Sequence, residues 1–178
     1  SSSELSAVVV SPSFVKNKNK LLELFFQISL NGMYVPVIDV QTGECLLTPE
    51  VFDAMKVKPE LIRKSIDDNS SPNVILESFK QSLYLKKIYE SIAYTTENVS
   101  LQQHTEAVIR QFLRYFERFS DFGVLSKQEF MMLFALHDIG KPLAKEIAGT
   151  ATEQHFFTKK IILPILMQLG MSQLEIDK

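Results

Sequence analysis

The spacing of apolar and polar residues predicts a mainly helical N-terminal half. Residues 1–13 are rich in serine, and we expect this end of the chain to be frayed. Apolar positions then recur at helical spacing from Phe14 until Asn31-Gly32, a pair typical of a helix end. The later helices predicted in this half are a short one that starts at Thr48-Pro49, one near 59–66 and a long one over about 72–94.

One segment of this half has the composition of a strand pair. Residues 34–40 are rich in β-branched side chains, residues 41–44 resemble a turn, and apolar residues follow. Pro36 restricts the first strand to a sheet edge, because proline has no amide hydrogen to donate. We therefore predict a short β-hairpin at 33–47, within an N-terminal helical region that covers 1–99.

The second half repeats a signal for helix starts, a Ser or Thr followed three residues later by Glu or Gln. In such a capping box the hydroxyl accepts from one free amide and the longer side chain from another. The pattern predicts an all-α half with helices that start near 101, 127, 151 and 173, and a short helix over 142–148 closed by Gly149. The four boxes are Ser100–Gln103, Ser126–Glu129, Thr150–Glu153 and Ser172–Glu175.

Composition narrows the classes of function. The 178 residues include 19 basic and 21 acidic side chains, a balance unlike that of a nucleic-acid or anionic-membrane binder. The apolar runs are much shorter than the roughly 20 residues that a bilayer requires. The single cysteine, Cys45, excludes an internal disulfide and a cysteine-pair zinc site. We expect a cytoplasmic, reducing compartment and no membrane or nucleic-acid partner.

The three histidines all lie near predicted helix ends, on apolar faces. His104 shares its face with Val108 and Phe112, His137 follows Phe134 on the next helix, and His155 begins a third. One interpretation is that each is a satisfied histidine at the edge of the core. The other is that imidazole groups gathered at helix ends bind a divalent metal.

Asp138, next to His137, favours the metal interpretation. A carboxylate at the C-terminal end of a helix is unfavourable against the helix dipole, so it needs a cation nearby. The sequence offers two, a metal ion or Lys141.

The string FALHDIGKP at 134–142 resembles the HD superfamily of metal-dependent phosphohydrolases, which have an all-helical core. QQHTE around His104 is similar to the family's first ligand segment, 33 residues before the His137-Asp138 doublet. EQHF around His155 is similar to its additional histidine segment. The resemblance covers about 100–178. The HD-x-G-K form is similar to cyclic-dinucleotide phosphodiesterases, and the continuation to tRNA nucleotidyltransferase HD domains, so the branch stays open.

The resemblance implies an HD-type helical bundle that hydrolyses a phosphoester with metal-activated water. His104, His137, Asp138 and His155 would be metal ligands, and Asp138, Lys141 and His155 would act in catalysis. Lys141 would offset charge on the phosphate. The cofactor would be one or two divalent ions (Fe, Mn, Zn, Ni or Mg), and the partner a small phosphorylated substrate such as a nucleotide or cyclic dinucleotide.

One feature departs from the family pattern. The last aspartate ligand has no convincing match, because Asp177, the only downstream candidate, lies in the first turn of the helix predicted from 173, and in family members this helix runs further before the acid. We therefore expect the core to be truncated, with this ligand beyond residue 178. Two other functions remain open, a degenerate HD-like signalling or protein-interaction module, and a structural helical domain with incidental histidines. The sequence selects neither an oligomeric state nor a substrate.

Overall fold

The computed structural model describes residues 6–94, 98–116 and 125–171. These residues are mostly helical, which confirms the predicted all-α class, and the strands are short and paired in two small sheets. The elements, in chain order, are β1 (Val8–Val10), α1 (Pro12–Lys16), α2 (Lys18–Leu30), β2 (Val37–Asp39), α3 (Pro49–Met55), α4 (Pro59–Asp67), α5 (Pro72–Phe79), α6 (Leu83–Glu90), β3 (Ile92–Tyr94), β4 (Val99–Ser100), α7 (Leu101–Phe116), α8 (Lys127–Leu136), α9 (Lys141–Ala148) and α10 (Gln154–Gln168).

Contacts divide the chain into two compact units. Unit 1 comprises Ser1–Val57 and Gln81–Tyr84, and unit 2 comprises Lys58–Lys80 and Leu85–Lys178. The predicted HD-type core, 100–178, belongs entirely to unit 2. The domain boundary at 99–100 itself stays a prediction.

Unit 1 contains an ordered strand at Val8–Val10 and a helix from Pro12, so the expectation of a frayed end for residues 1–13 is wrong at 8–13. β1 pairs with β2 in parallel, with Val8 opposite Val37 and Val10 opposite Asp39. Three consecutive valines supply the β-branched side chains that favour a strand. Ser11 then caps α1, because its side chain accepts from the amide of Phe14.

The hairpin predicted at 33–47 is present in a reduced form. Its turn is closed by hydrogen bonds from the amide of Asp39 to the carbonyl of Glu44 and from the amide of Gly43 to the carbonyl of Asp39. The pairing across it is a single antiparallel bridge, between Ile38 and Cys45. The first strand of the hairpin takes β1 as its main partner.

The prediction of one long helix over 72–94 is wrong, because the first helix ends at Phe79. α5 and α6 are separate helices, and Ile92–Tyr94 forms an antiparallel pair with Val99–Ser100. The buried hydroxyl of Ser82 lies in the break and donates to the carbonyl of Met55, at 2.6 Å. This contact joins residues 27 positions apart, so local spacing does not reveal it.

Two of the predicted capping boxes form in unit 2. At the start of α7 the amide of Ser100 donates to Gln103 and the amide of Gln103 donates to the Ser100 hydroxyl. Ser126 and Glu129 form the same reciprocal pair at the start of α8. α9 ends at Gly149, in the left-handed region with φ +71°, as predicted.

The Thr150–Glu153 box does not form. The Thr150 hydroxyl accepts instead from the amide of Thr152, and α10 begins only at Gln154, with Glu153 as an N-cap that makes no side-chain bond. Threonine hydroxyls close local turns of this kind in competition with helix caps. The Ser172–Glu175 box lies outside the described residues.

Aromatic packing holds α7 against α8 in unit 2. The ring centroid of Phe112 on α7 lies 5.0 Å from that of Phe134 and 5.8 Å from that of Phe130, both on α8. Aromatic pairs at such distances stabilise by about 0.5–1.5 kcal/mol each beyond the area that they bury. The packing fixes the start of α7 beside the end of α8. In the described part of the chain, no helix is long and apolar enough to cross a membrane.

Candidate metal centre

Three structural elements bring the predicted ligands together. His104 lies in the first turn of α7, His137 is the C-cap residue of α8, and Asp138 lies in the turn between α8 and α9. Lys141 is the first residue of α9. The end positions predicted for His104 and His137 are therefore confirmed, although the buried stripe of α7 runs one position away from His104 and leaves it half-buried. The buried residues of that stripe are Leu101, Thr105, Ile109 and Phe112.

A single carboxylate oxygen is the centre of the site. Asp138 Oδ2 lies 2.9 Å from His104 Nε2, 3.1 Å from His137 Nε2 and 2.5 Å from Lys141 Nζ. Asp138 is 5% exposed, whereas the side chains of the two histidines are 24% and 32% exposed. The carboxylate is thus buried beneath two imidazoles that reach solvent.

The end of α8 orients the imidazole of His137. The carbonyl of Phe134 accepts from Nδ1 of His137 at 2.6 Å, which leaves Nε2 directed at Asp138. Metal-binding histidines commonly donate their second nitrogen to a carbonyl in this way, because the bond fixes the tautomer and the direction of the ring.

The turn after the doublet packs directly on α10. The amide of Gly140 donates to the hydroxyl of Thr158 at 3.1 Å. A Cβ at Gly140 would lie 2.3 Å from the backbone nitrogen of Thr158 and 2.6 Å from the carbonyl oxygen of Gln154. Glycine is therefore required here by close approach, since its φ of −81° is one that any residue adopts.

The electrostatics of the site keep Asp138 ionised. Burial by itself raises the pKa of the Asp138 carboxyl, but hydrogen bonds donated by His137 and Lys141, together with their charges, outweigh that effect. The pKa of Asp138 consequently lies well below its usual range. The need for a nearby cation, inferred from the helix dipole, is met by Lys141.

The pKa values of His104 and His137 are shifted in opposite directions. Burial lowers the pKa of His104, and the charges of Lys141 and His137 add to this effect, so that the attraction of Asp138 is outweighed. Burial also lowers the pKa of His137, but the bonds accepted by Asp138 and by the Phe134 carbonyl raise it more. At neutral pH His104 is accordingly a neutral imidazole, the form that ligates metals.

The donor set and its spacing fit a divalent metal. One candidate ligand atom from each of His104, His137 and Asp138 lies within 4.8 Å of the other two. Ligand bonds of about 2.0–2.2 Å place neighbouring ligand atoms roughly 3–3.5 Å apart, and the two measured nitrogen–oxygen distances are close to that range. Two imidazoles with one carboxylate suit Zn, Fe, Mn or Ni better than Mg, which prefers oxygen ligands.

His155, the other predicted ligand, is placed differently. It is exposed in the first turn of α10, and its ring lies 4.1 Å from that of Phe156. His155 is not one of the three residues whose ligand atoms converge. Its role with a second ion or a phosphate stays a prediction, and Asp177 lies outside the described residues.

Sequence reasoning missed two residues that support this site. Thr158 binds the turn amide of Gly140, and Tyr89 on α6 donates to the carbonyl of Ala135 in the last turn of α8, at 2.6 Å. Gly140 was visible as part of the HDIGK string. Neither Thr158 nor Tyr89 belongs to a motif, so no signal in the sequence marked them.

Comparison of the chain with protein-family models, curated proteins and solved structures gives no match. The likeness to the HD superfamily therefore rests on the short motifs around His104, His137 and His155.

Proposed function

We propose that this chain is a metal-dependent phosphohydrolase of the HD type. One observation carries the proposal: His104, His137 and Asp138 come from three different elements, yet their ligand atoms lie within 4.8 Å of one another. A structural role alone does not require two imidazoles on the same buried carboxylate oxygen. The resemblance of the surrounding motifs to phosphohydrolases supplies the reaction class.

In this proposal His104, His137 and Asp138 hold a divalent ion. When bound, such an ion activates water at neutral pH and polarises a phosphoryl oxygen. Asp138 is suited to the role because its low pKa keeps it charged, and His104 because it is neutral at pH 7. The proton between His137 and Asp138 would be released when the ion binds.

Lys141 has one role in the protein without a metal ion and another once an ion is bound. In the structure its ammonium contacts Asp138 Oδ2, the oxygen that a metal ion would share. An ion bound at that oxygen would repel the ammonium, which would then be available to offset the charge of a phosphate. The proposed substrate is a small phosphoester, with nucleotides and cyclic dinucleotides as the first compounds to test, and His155 is the proposed donor to a phosphate oxygen or ligand of a second ion.

Asp138→Asn, with Asp53→Asn as its control, tests the proposal. Asp138→Asn keeps the shape of the side chain and removes its charge, so we expect metal affinity to fall by more than the roughly 10–100-fold that outer-shell partners contribute, and hydrolysis to be lost. Asp53→Asn makes the same chemical change at an exposed site in unit 1 and should alter neither. Elemental analysis, calorimetric titration with Mn²⁺ or Zn²⁺ and a phosphoester screen provide the measurements. A wild-type protein that neither binds these ions nor hydrolyses any phosphoester contradicts the proposal.

A degenerate HD-like module for signalling or protein interaction is the second candidate. It is favoured by the pairing of Lys141 with Asp138, since a buried ammonium already neutralises the carboxylate without a metal ion. The same titration separates the two functions, because the module predicts a folded protein that binds no divalent ion. For either function we propose a reducing, cytoplasmic compartment, in keeping with the free and exposed thiol of Cys45.

A further inference from the structure

Tyr89 binds the backbone just before the His137-Asp138 doublet. It is fully buried on α6 in unit 2, and its hydroxyl donates to the carbonyl of Ala135 at 2.6 Å. Its ring packs edge-on against Phe79, with 6.4 Å between centroids. Burial raises the pKa of the Tyr89 phenol, so the hydroxyl remains a donor throughout the physiological range. Ala135 lies two residues before His137.

The hydroxyl of Tyr89 binds the carbonyl of Ala135, which would accept a backbone hydrogen bond if α8 continued. In a regular α-helix the carbonyl of Ala135 would accept from the amide of Ile139. Here the amide of Ile139 donates to Leu136 instead, at 3.1 Å, in the tighter i to i+3 pattern that closes helix ends. Tyr89 and Ile139 thus satisfy successive carbonyls at the C-terminal end of α8.

His137 itself takes the adjacent carbonyl in the same turn. Its Nδ1 donates to Phe134, one residue before the carbonyl held by Tyr89. The direction of the His137 ring therefore depends on the position of the Phe134 carbonyl. Tyr89 holds the next carbonyl in the chain, that of Ala135. Asp138 follows directly in the chain, so the same turn sets the direction of both side chains.

We infer that Tyr89 is a positioning residue for the metal centre: its buried hydroxyl ends α8 at the doublet and thereby directs His137 and Asp138 at each other. The inference rests on the proposed metal-binding function, and it concerns a residue that touches neither ligand side chain through its hydroxyl. Without the hydroxyl, the carbonyl of Ala135 is a buried acceptor that lacks this donor, and such groups are costly. The amide of Ile139 is the nearest replacement, and its use would lengthen α8 and turn Asp138 away from the imidazoles.

Tyr89→Phe removes the hydroxyl and keeps the ring that packs on Phe79. We expect its affinity for Zn²⁺ or Mn²⁺, measured by calorimetric titration, to fall about 10–100-fold, the range typical of outer-shell partners. A second readout needs no metal. In chelator-treated protein the ring-nitrogen resonances of His137 should shift, because its bond to Phe134 weakens, while those of exposed His155 should not.

Ile75→Val is the matched control for stability. Ile75 is fully buried in unit 2, so the substitution weakens the same core without touching the end of α8. It should lower the thermal midpoint as Tyr89→Phe does, yet leave the metal affinity and the His137 resonances at their wild-type values. An equal loss of metal affinity in Ile75→Val would overturn the inference, because it would show a general effect of stability.

The remaining outcomes separate this inference from the proposed function. If the wild-type protein binds no divalent ion, the proposed function fails, and the His137 resonances alone decide on Tyr89: a shift in Tyr89→Phe supports it and an unchanged spectrum overturns it. If Tyr89→Phe does not fold, site-specific replacement of Tyr89 by 3-fluorotyrosine keeps the hydroxyl and alters its acidity. The His137 resonances should then shift more than those of His155, and equal shifts would overturn the inference.

Discussion

Two regions of unit 2 carry histidines that the sequence places alike, near helix ends on apolar faces. In the structure the surroundings of these histidines differ. His104, at the start of α7, and His137, at the end of α8, meet at one buried carboxylate, with 5.6 Å between their ring centroids. His155 begins α10 and is exposed beside Phe156. A histidine at a helix end on an apolar face is therefore not sufficient to predict that it joins this cluster.

The helices of the two regions differ in their caps and in their aromatic contacts. α7 and α8 are held together by Phe112, Phe130 and Phe134, and each begins with a capping box that fixes its first turn. α10 begins without a side-chain cap. The two histidines that converge belong to α7 and α8, which both begin with a capping box and pack on each other through these rings. The contrast with His155 can be tested at Gly140, at Asp138 and at His155 itself.

The largest effect on the free energy of unfolding is expected from Gly140→Ala, because the turn after the doublet packs directly on α10. The new methyl group would lie 2.3 Å from the backbone of Thr158 on α10, a contact that rigid backbone cannot relieve. Overpacking of this kind costs about 1–3 kcal/mol in the free energy of unfolding. We also expect metal affinity to fall about tenfold, since the turn that carries Asp138 must shift. Urea unfolding and calorimetric titration measure the two effects.

Gly149→Ala is the control for this substitution. Gly149 has a positive φ of +71° and nothing within 4 Å of an added Cβ, so alanine costs about 1–2 kcal/mol of backbone strain without a clash. Its metal affinity should stay at the wild-type value. Equal losses of affinity in the two variants would show that close packing at Gly140 does not shape the site.

An intermediate effect is expected on acid stability. Because the pKa of Asp138 is lowered on folding, the folded state binds that proton more weakly than the unfolded chain. Asp138 therefore contributes stability above about pH 3.9, its unfolded pKa, and this contribution is lost as the pH falls below that value. We expect a loss on the order of 1–2 kcal/mol in chelator-treated protein.

The comparison of variants isolates this contribution. Asp138→Asn should lack this part of the acid loss, while Asp53→Asn should retain it in full. Near pH 6.5 the histidines oppose each other: the raised pKa of His137 favours folding at lower pH, and the lowered pKa of His104 favours it at higher pH. The two contributions therefore have opposite signs in that range, and contributions of the same sign, measured in single substitutions of the two histidines, would contradict the assignment of these shifts.

The smallest effect is expected from His155→Ala. Because His155 is exposed, its removal should change the free energy of unfolding by no more than about 0.5 kcal/mol. The affinity of the first bound ion should remain within about twofold of the wild-type value, since the three converging ligands are untouched. A loss of the first ion, measured by titration, would place His155 in the same centre and remove the contrast between the two regions.

The parts of the fold that the sequence predicted are those with local causes. Thr48-Pro49, the Ser126–Glu129 box and Gly149 each act within one turn, and each marks a helix end in the structure. In the break between α5 and α6, Ser82 bonds to Met55, which is distant in sequence. The prediction, which used apolar spacing alone, therefore extended one helix through that break.

The site divides in the same way. The pairing of Lys141 with Asp138 spans three residues, and the helix dipole predicted a cation beside Asp138, with Lys141 as one of two candidates. The convergence of His104 on Asp138 depends on how α7 packs on α8, and its expectation came from motif resemblance. The support from Tyr89 comes across 46 positions of sequence, where neither spacing nor composition carries information.

The parallel pairing of β1 with β2 has a consequence for the order of folding. Val8 and Val37 are neighbours in the sheet, and α1 and α2 lie between them in the chain. Parallel strands need such a crossover, and the entropy of closing it must be lost before the strand contacts form. We therefore expect β1 to join after α2 has formed, and its amides to gain protection from hydrogen exchange late in refolding.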